Sequence, residues 1–153
     1  MKDLSQVNLI EGFYKDDRTH WSPPKLSNVD WGSIDFLSWK HEKNGNYYLL
    51  MEQEDGDGVR GFVVEMNAGH GVNKNSCSLC HARNQDIGVK AAFIKTNSNP
   101  RRKIGIHVCG DLGCSHRVRG ILPSIFPFET ITVGRRIERL QERLNRLLLR
   151  LST

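Results

Sequence analysis

The stretches Asn75-Ser76-Cys77-Ser78-Leu79-Cys80-His81 and His107-Val108-Cys109-Gly110-Asp111-Leu112-Gly113-Cys114 hold every cysteine in the chain. The spacing is Cys-x2-Cys, then 28 residues, then Cys-x4-Cys. Two residues between thiolates let both sulfurs face one ion at the tetrahedral Zn–S distance of about 2.3 Å. The first pair sits in a knuckle-like turn. Cys109 ends a predicted strand, and Cys114 lies in the first turn of a predicted helix, where the helix N-terminus favours the thiolate.

Knuckle, hairpin and helix start, in that order, describe a treble-clef zinc site over about residues 70–122. Buried free thiols or a disulfide pair are the competing readings. A disulfide is disfavoured in a chain expected in the cytosol, and four cysteines in one short window with none left over argue against scattered core thiols. The expected shell is Cys77, Cys80, Cys109 and Cys114 around one structural Zn2+. His107, two residues before Cys109 on the same strand, is expected to face the same side and is an alternate ligand. His116 is a weaker alternate, and His81 is placed to make a supporting contact. A catalytic zinc needs an open coordination position and a nearby general base. Four thiolates close the shell, no His-x-Glu occurs, and no Pro precedes Cys77, so deaminase chemistry does not fit.

Working outward, Val89–Lys95 and Lys103–Cys109 read as strands joined by the loop Thr96–Arg102. Tyr47–Glu52 and Val59–Met66 read as an earlier hairpin around Asp55-Gly56-Asp57-Gly58. That turn lacks the further ligands of a calcium loop. Val29–Trp39 is expected to form a turn or short helix that buries Trp31 and Trp39. Residues 1–18 are expected to form a short helix, followed by a linker at Ser22-Pro23-Pro24. Asp111 is the expected N-cap of a helix running to about Arg119. The last helix is expected over about 133–151. On a helical wheel, Ile137, Leu140, Leu144, Leu147, Leu148 and Leu151 make one stripe, and Arg135, Arg139, Arg143, Arg146 and Arg150 make a neighbouring one. The fold class is therefore α+β: an antiparallel sheet, a treble-clef zinc finger and a long C-terminal amphipathic helix. The domain division is an N-terminal helix and linker at 1–27, then one domain at 28–153.

Charge is split along the chain. Residues 1–80 carry 8 Lys/Arg against 12 Asp/Glu, and residues 81–153 carry 14 against 5. Any anionic partner therefore belongs to the second half. No apolar run reaches the roughly 20 residues of a membrane-spanning helix, and no secretory signal is visible. The expected location is the cytoplasm, with no membrane and no small-molecule substrate. No phosphate loop, hydrolase elbow or HExxH is present.

The cysteine block with its flanks, Asn75–Arg83, His107–Ser115 and Arg117-Val118-Arg119-Gly120, resembles the treble-clef zinc domain of the FusB-type elongation factor G-binding proteins. It is most similar to the short FBP-domain members. Trp31…Asp35-Phe36-Leu37-Ser38-Trp39 and the closing Arg-Ile-Glu-Arg-Leu helix fit the same pattern. The resemblance implies a non-enzymatic protein that binds elongation factor G and modulates its release from the ribosome. Some family members thereby confer resistance to fusidic acid. This chain departs from those members in having only a short helix ahead of the zinc domain, and in having Ser78 where an aromatic is usual.

The resemblance implies partner contacts near the hairpin and beyond the zinc helix. The candidates are Arg101, Arg102, Lys103, Arg117, Arg119, Ile125 and Phe126, with Phe128 beyond. The terminal stripe adds Arg135, Arg139 and Arg143 as a ridge for ribosomal RNA or an acidic protein face. The alternative function is a zinc-stabilised module that binds RNA directly, signalled by affinity that falls steeply with salt.

Overall fold

The computed structural model describes residues 1–18, 21–54, 56, 58–69, 75–84, 86–96, 99, 101–127 and 129–153. Five strands form one antiparallel meander in chain order: β1 (Phe36–Lys40), β2 (Tyr47–Glu52), β3 (Val59–Met66), β4 (Val89–Lys95) and β5 (Lys103–Cys109). Among the described residues, three α-helices accompany it: α1 (Gln6–Glu11), α2 (Cys114–Val118) and α3 (Val133–Ser152). Both predicted hairpins form, with Tyr47 opposite Val64 in the first and Ile94 opposite Ile104 in the second. Asp55, Asp57, Phe128 and parts of the loops at 70–74 and 97–100 lie outside the described residues.

Alternation along β2 explains the layering, because successive side chains in a strand point to opposite faces. Leu49 and Met51 enter the core shared with Phe62, Val64, the cysteines and α3. Tyr48 and Leu50 enter a second core on the other face, with Leu9, Phe13, Ile34 and Leu37. The first core is closed by α3, whose Leu140, Leu144, Leu147, Leu148 and Leu151 are buried. Each such leucine contributes about 1.5–3 kcal/mol by leaving water. Thr132 caps this helix by accepting from the Arg135 N–H.

The second core is built by the N-terminal segment, which packs on the outer face of β1–β3. Ser5 and Asn8 form a capping box for α1, and Gly12 ends it. Phe13 then turns inward and is 2% exposed. Its ring lies over Gly61, where a Cβ would collide with it. The backbone approaches equally closely, with Gly61 N–H donating to Gly12 C=O at 2.9 Å. Trp21, Trp39 and Tyr48 surround Phe13 at centroid distances of 5.3, 5.9 and 5.5 Å.

The Val29–Trp39 segment differs from its expectation. Only Trp31–Ser33 is helical, as a single 3-10 turn, and Phe36–Lys40 is a strand. Phe36, Leu37 and Trp39 favour a strand, and the 3-10 turn uses Asp30 to accept from Gly32 N–H. Trp31 and Trp39 are half-buried on the second core rather than enclosed.

Asp35 links β1 to both later helices. Its carboxylate takes two bonds from Arg119, at 2.6 and 3.2 Å, and one from Gln141 of α3 at 2.9 Å. Its own N–H donates to Ser115 Oγ. Burial pushes this carboxyl up, but the hydrogen bonds from Arg119 and Gln141 outweigh it and hold the pKa below the usual carboxylate value.

Two stability outcomes follow from these contacts. Gly61→Ala loses about 1–3 kcal/mol in urea unfolding, because the Phe13 ring has no room to yield; unchanged stability would contradict that packing. Asp35→Asn loses about 3–5 kcal/mol at neutral pH. A lowered folded pKa stabilises above the unfolded value, about 3.9, and that stabilisation disappears as pH falls through the folded value. The gap between wild type and Asp35→Asn therefore narrows below about pH 4. A gap independent of pH would show that the carboxylate charge is not what matters.

Candidate metal centre

Cys77 and Cys80 come from the turn between β3 and β4, Cys109 from the end of β5 and Cys114 from the first turn of α2. All four are fully buried and unbridged. Their sulfurs lie within 4.8 Å of one another. Cys77 and Cys114 are 3.7 Å apart, and Cys80 and Cys109 are 3.6 Å apart. Sulfurs at about 2.3 Å from a common zinc are separated by about 3.8 Å in a tetrahedron. The residues therefore fit one zinc ion without rearrangement.

Local backbone bonds shape both turns. Cys77 C=O accepts from His81 N–H, and Cys77 N–H donates to Ala82 C=O. In the second turn, Cys109 C=O accepts from Leu112 N–H. His81 and Leu112 have φ of 68° and 54°, and they are the only non-glycine residues described with positive φ. Each L-residue placed there costs about 1–2 kcal/mol, a strain concentrated at the two turns that hold the sulfurs. The sulfurs are also hydrogen-bonded: Leu79 N–H to Cys77 and Asn84 Nδ2–H to Cys109.

Four thiols this close cannot all ionise without a cation. Burial opposes ionisation of Cys77, but hydrogen bonds from Cys109, Cys114 and Cys80 outweigh it and hold its pKa well down. Hydrogen bonding to Cys109 and Cys77, together with burial, pushes Cys114 well up. A zinc ion substitutes for the missing protons, yet four thiolates around Zn2+ still leave a net negative centre.

Arginines answer that charge. Arg117 is 4% exposed and makes a two-bond pair with Asp111 at 2.6 and 3.0 Å. Burial would lower its pKa, but Asp111 and the field of Cys109 and Cys114 hold it above its ordinary range. Arg139 and Arg143 of α3 donate to the carbonyls of Cys80 and Ser78 at 3.3 and 3.0 Å. The last helix thus lies across the first knuckle, fastened through its backbone.

Several expected site residues are therefore internal. Arg117 is consumed by Asp111, and Arg119 by Asp35. Arg139 pairs with Glu129 at 2.6 Å and Arg135 with Glu138 and Glu142. These differ from the expectation of free cations because each meets a carboxylate. Of these partners only Asp35 is distant in sequence, 84 positions from Arg119; Asp111 and Glu129 are near neighbours along the chain, and the Arg135 pairs are exposed contacts within α3. Arg143 is half-buried. Phe126 packs against the inner core with Arg136 4.0 Å above its ring. Ile125 is 49% exposed and pairs through its backbone with Arg83. Arg101, Arg102 and Lys103 are exposed at the β4–β5 turn, where Lys103 pairs with Glu65.

His107 and His116 are not in the sulfur cluster. His107 is exposed on the outer sheet face, while Cys109 turns into the knuckle as the strand ends. His116 lines a separate cleft beside β1. Asp111 is not the N-cap of α2: Gly113 is, and Asp111 accepts from Gly113 N–H and binds Arg117. A Cβ at Gly113 would come within 2.7 Å of the Arg117 guanidinium, so a larger residue there would push on the Arg117–Asp111 pair. His81 makes its contact with Glu129, at 3.0 Å.

Sequence reading missed Glu129, whose side chain is 7% exposed and joins His81, Arg136 and Arg139. Burial raises its pKa, but His81 and Arg139 more than offset that. It also missed Phe93, 39% exposed on the outer face. The alternation of β4, which puts Phe93 on the same face as Lys95, was the available signal.

Loss of metal should open this site. Chelation lowers the melting temperature, and each single Cys→Ser variant binds less than one zinc per chain and unfolds at lower denaturant. A fully stable variant retaining one zinc would remove that cysteine from the shell.

Comparison with known proteins agrees with this geometry. No curated protein matches the chain. Among solved structures, the fusidic acid resistance protein FusC superposes with a TM-score of 0.66 at 15% identity, over 99% of this chain and 60% of that one. The chain thus spans less than two thirds of FusC, and the likeness is one of fold. The profile of the FBP C-terminal treble-clef zinc-finger matches residues 9–151. A four-cysteine centre held by a hairpin and a short helix, over a match of that extent, makes the chain a member of the FBP C-terminal treble-clef zinc-finger family.

Proposed function

We propose that this protein is a non-enzymatic partner of elongation factor G, acting in the cytoplasm to modulate release of that factor from the ribosome. Family membership supports the choice of partner. The single structural observation that carries the reading is the outer face of β4–β5, which no element among the described residues packs over. The N-terminal segment covers the outer face only as far as β3, where Val59 and Val63 pack against it.

Three cross-strand pairs make up the bare face: Ala91 with His107, Phe93 with Gly105 and Lys95 with Lys103. The Phe93 ring lies over Gly105, near enough that a Cβ there would touch it at 3.4 Å. Arg101 and Arg102 project from the adjoining turn. An aromatic anchor beside exposed guanidinium groups is the composition of a protein-binding hot spot. The zinc centre holds the lower end of this hairpin through Cys109. Binding would favour a factor conformation with lower ribosome affinity, a shift of population that requires no bond-making.

The same aromatic and cations favour a second reading, stacking and phosphate contacts to single-stranded RNA. The two readings separate in one titration. The first gives a specific complex with purified elongation factor G, at micromolar affinity or tighter. Phe93→Ala or Arg101→Glu/Arg102→Glu then weakens it at least about tenfold with an unchanged melting temperature. No heat or mobility change with the factor, together with salt-sensitive binding of single-stranded RNA, would replace the first reading with the second.

A further inference from the structure

The two edges of the sheet are treated differently. Hydrogen-bond phase follows from the turn bonds: Thr96 N–H donates to Arg102 C=O, so the polar groups of β5 that point away from β4 belong to residues 103, 105, 107 and 109. The zinc knuckle covers that edge, with Ser78 N–H donating to His107 C=O at 2.7 Å. At the opposite edge, His41 N–H donates to Asn46 C=O, so Phe36, Ser38 and Lys40 of β1 point their N–H and C=O groups away from β2. Among the described residues no other element bonds to them. Neither a proline nor a bulge blunts this edge, although sheet proteins ordinarily guard such edges.

A cleft of about 380 Å³ runs along it, between β1 and the second zinc turn with α2. Ile34, Phe36, Leu112 and Leu122 give it apolar walls, and Asp30 and Asp111 give it carboxylates. No lysine or arginine lines it. Asp111 is neutralised by Arg117, whereas Asp30 is exposed and, among the described residues, its carboxylate accepts from the neutral Gly32 N–H and Ser33 Oγ–H and from no cation. An edge strand facing a short helix across an apolar cleft is the arrangement in which an extended peptide adds one strand to a sheet.

We propose that β1 is a docking edge for an extended peptide segment of a partner protein. The segment pairs its backbone with Phe36, Ser38 and Lys40, places one large apolar side chain in the cleft and sets a Lys or Arg near Asp30. A second copy of this chain fits less well. Antiparallel pairing about Ser38 would put Lys40 of the other copy against Phe36 and leave each cleft without an apolar side chain to fill it, because Phe36 is committed to its own core.

The test uses the zinc-loaded full chain and a random peptide display library. Enriched peptides are expected to carry an aromatic or large aliphatic residue within three positions of Lys or Arg. A synthetic copy of the best binder slows amide exchange of Phe36, Ser38 and Lys40 at least tenfold, and N-methylation of alternate peptide amides abolishes binding. Ser38→Pro removes only an outward N–H, and it weakens binding at least tenfold while circular dichroism stays unchanged. Asp30→Lys, on the exposed rim, removes the preference for basic peptides. An empty selection, peptides that protect other amides, or binding indifferent to N-methylation would overturn the proposal. Protection of these three amides that rises with the concentration of the chain alone would replace it with self-pairing.

Discussion

Four sulfurs, drawn from two turns a hairpin apart, have to meet at one point. Everything else in the inner half of the molecule is arranged around that constraint. The knuckle fixes the edge of β5 through His107. The second turn starts α2, and α2 presents Arg119 and Ser115 to Asp35 at the head of β1. His81 and Leu112 hold positive φ beside the cysteines. Such strain persists only where surrounding bonds over-determine the backbone, and a metal at the centre supplies that determination.

The sign of the centre accounts for the arginines around it. A zinc with four thiolates remains anionic, so cations gather at its rim. Arg117 lies within the field of Cys109 and Cys114, while Arg139 and Arg143 cross the knuckle from α3. The strongly basic second half of the chain is thus partly an internal matter. Much of its charge balances Asp35, Asp111, Glu129 and the zinc centre, leaving Arg101 and Arg102 as the outward remainder near the hairpin.

The parts of this arrangement visible in sequence are those set by local spacing. Cys-x2-Cys and Cys-x4-Cys announced the metal centre, alternation announced both hairpins, and the leucine period announced α3. Partnerships formed by tertiary contact were hidden. Nothing near Arg117 or Arg119 in a helical wheel distinguishes a solvated arginine from one locked to a carboxylate, because Asp35 lies 84 positions from Arg119. His107 was expected to share a side with Cys109, but the strand ends at Cys109 and the parity rule ends with it. Phe36–Trp39 fall in the Val29–Trp39 stretch expected to be a turn or short helix; their pairing with β2, a contact made in three dimensions, makes them strand. Glu129 carried no motif at all.

The inner half of the molecule depends on a single zinc bound by sulfur alone, and X-ray absorption at the zinc edge of the purified chain measures that directly. The result predicted is one zinc per chain with four sulfur neighbours at about 2.3 Å. A shell containing a nitrogen or oxygen neighbour, or a folded chain that carries no zinc, would contradict it.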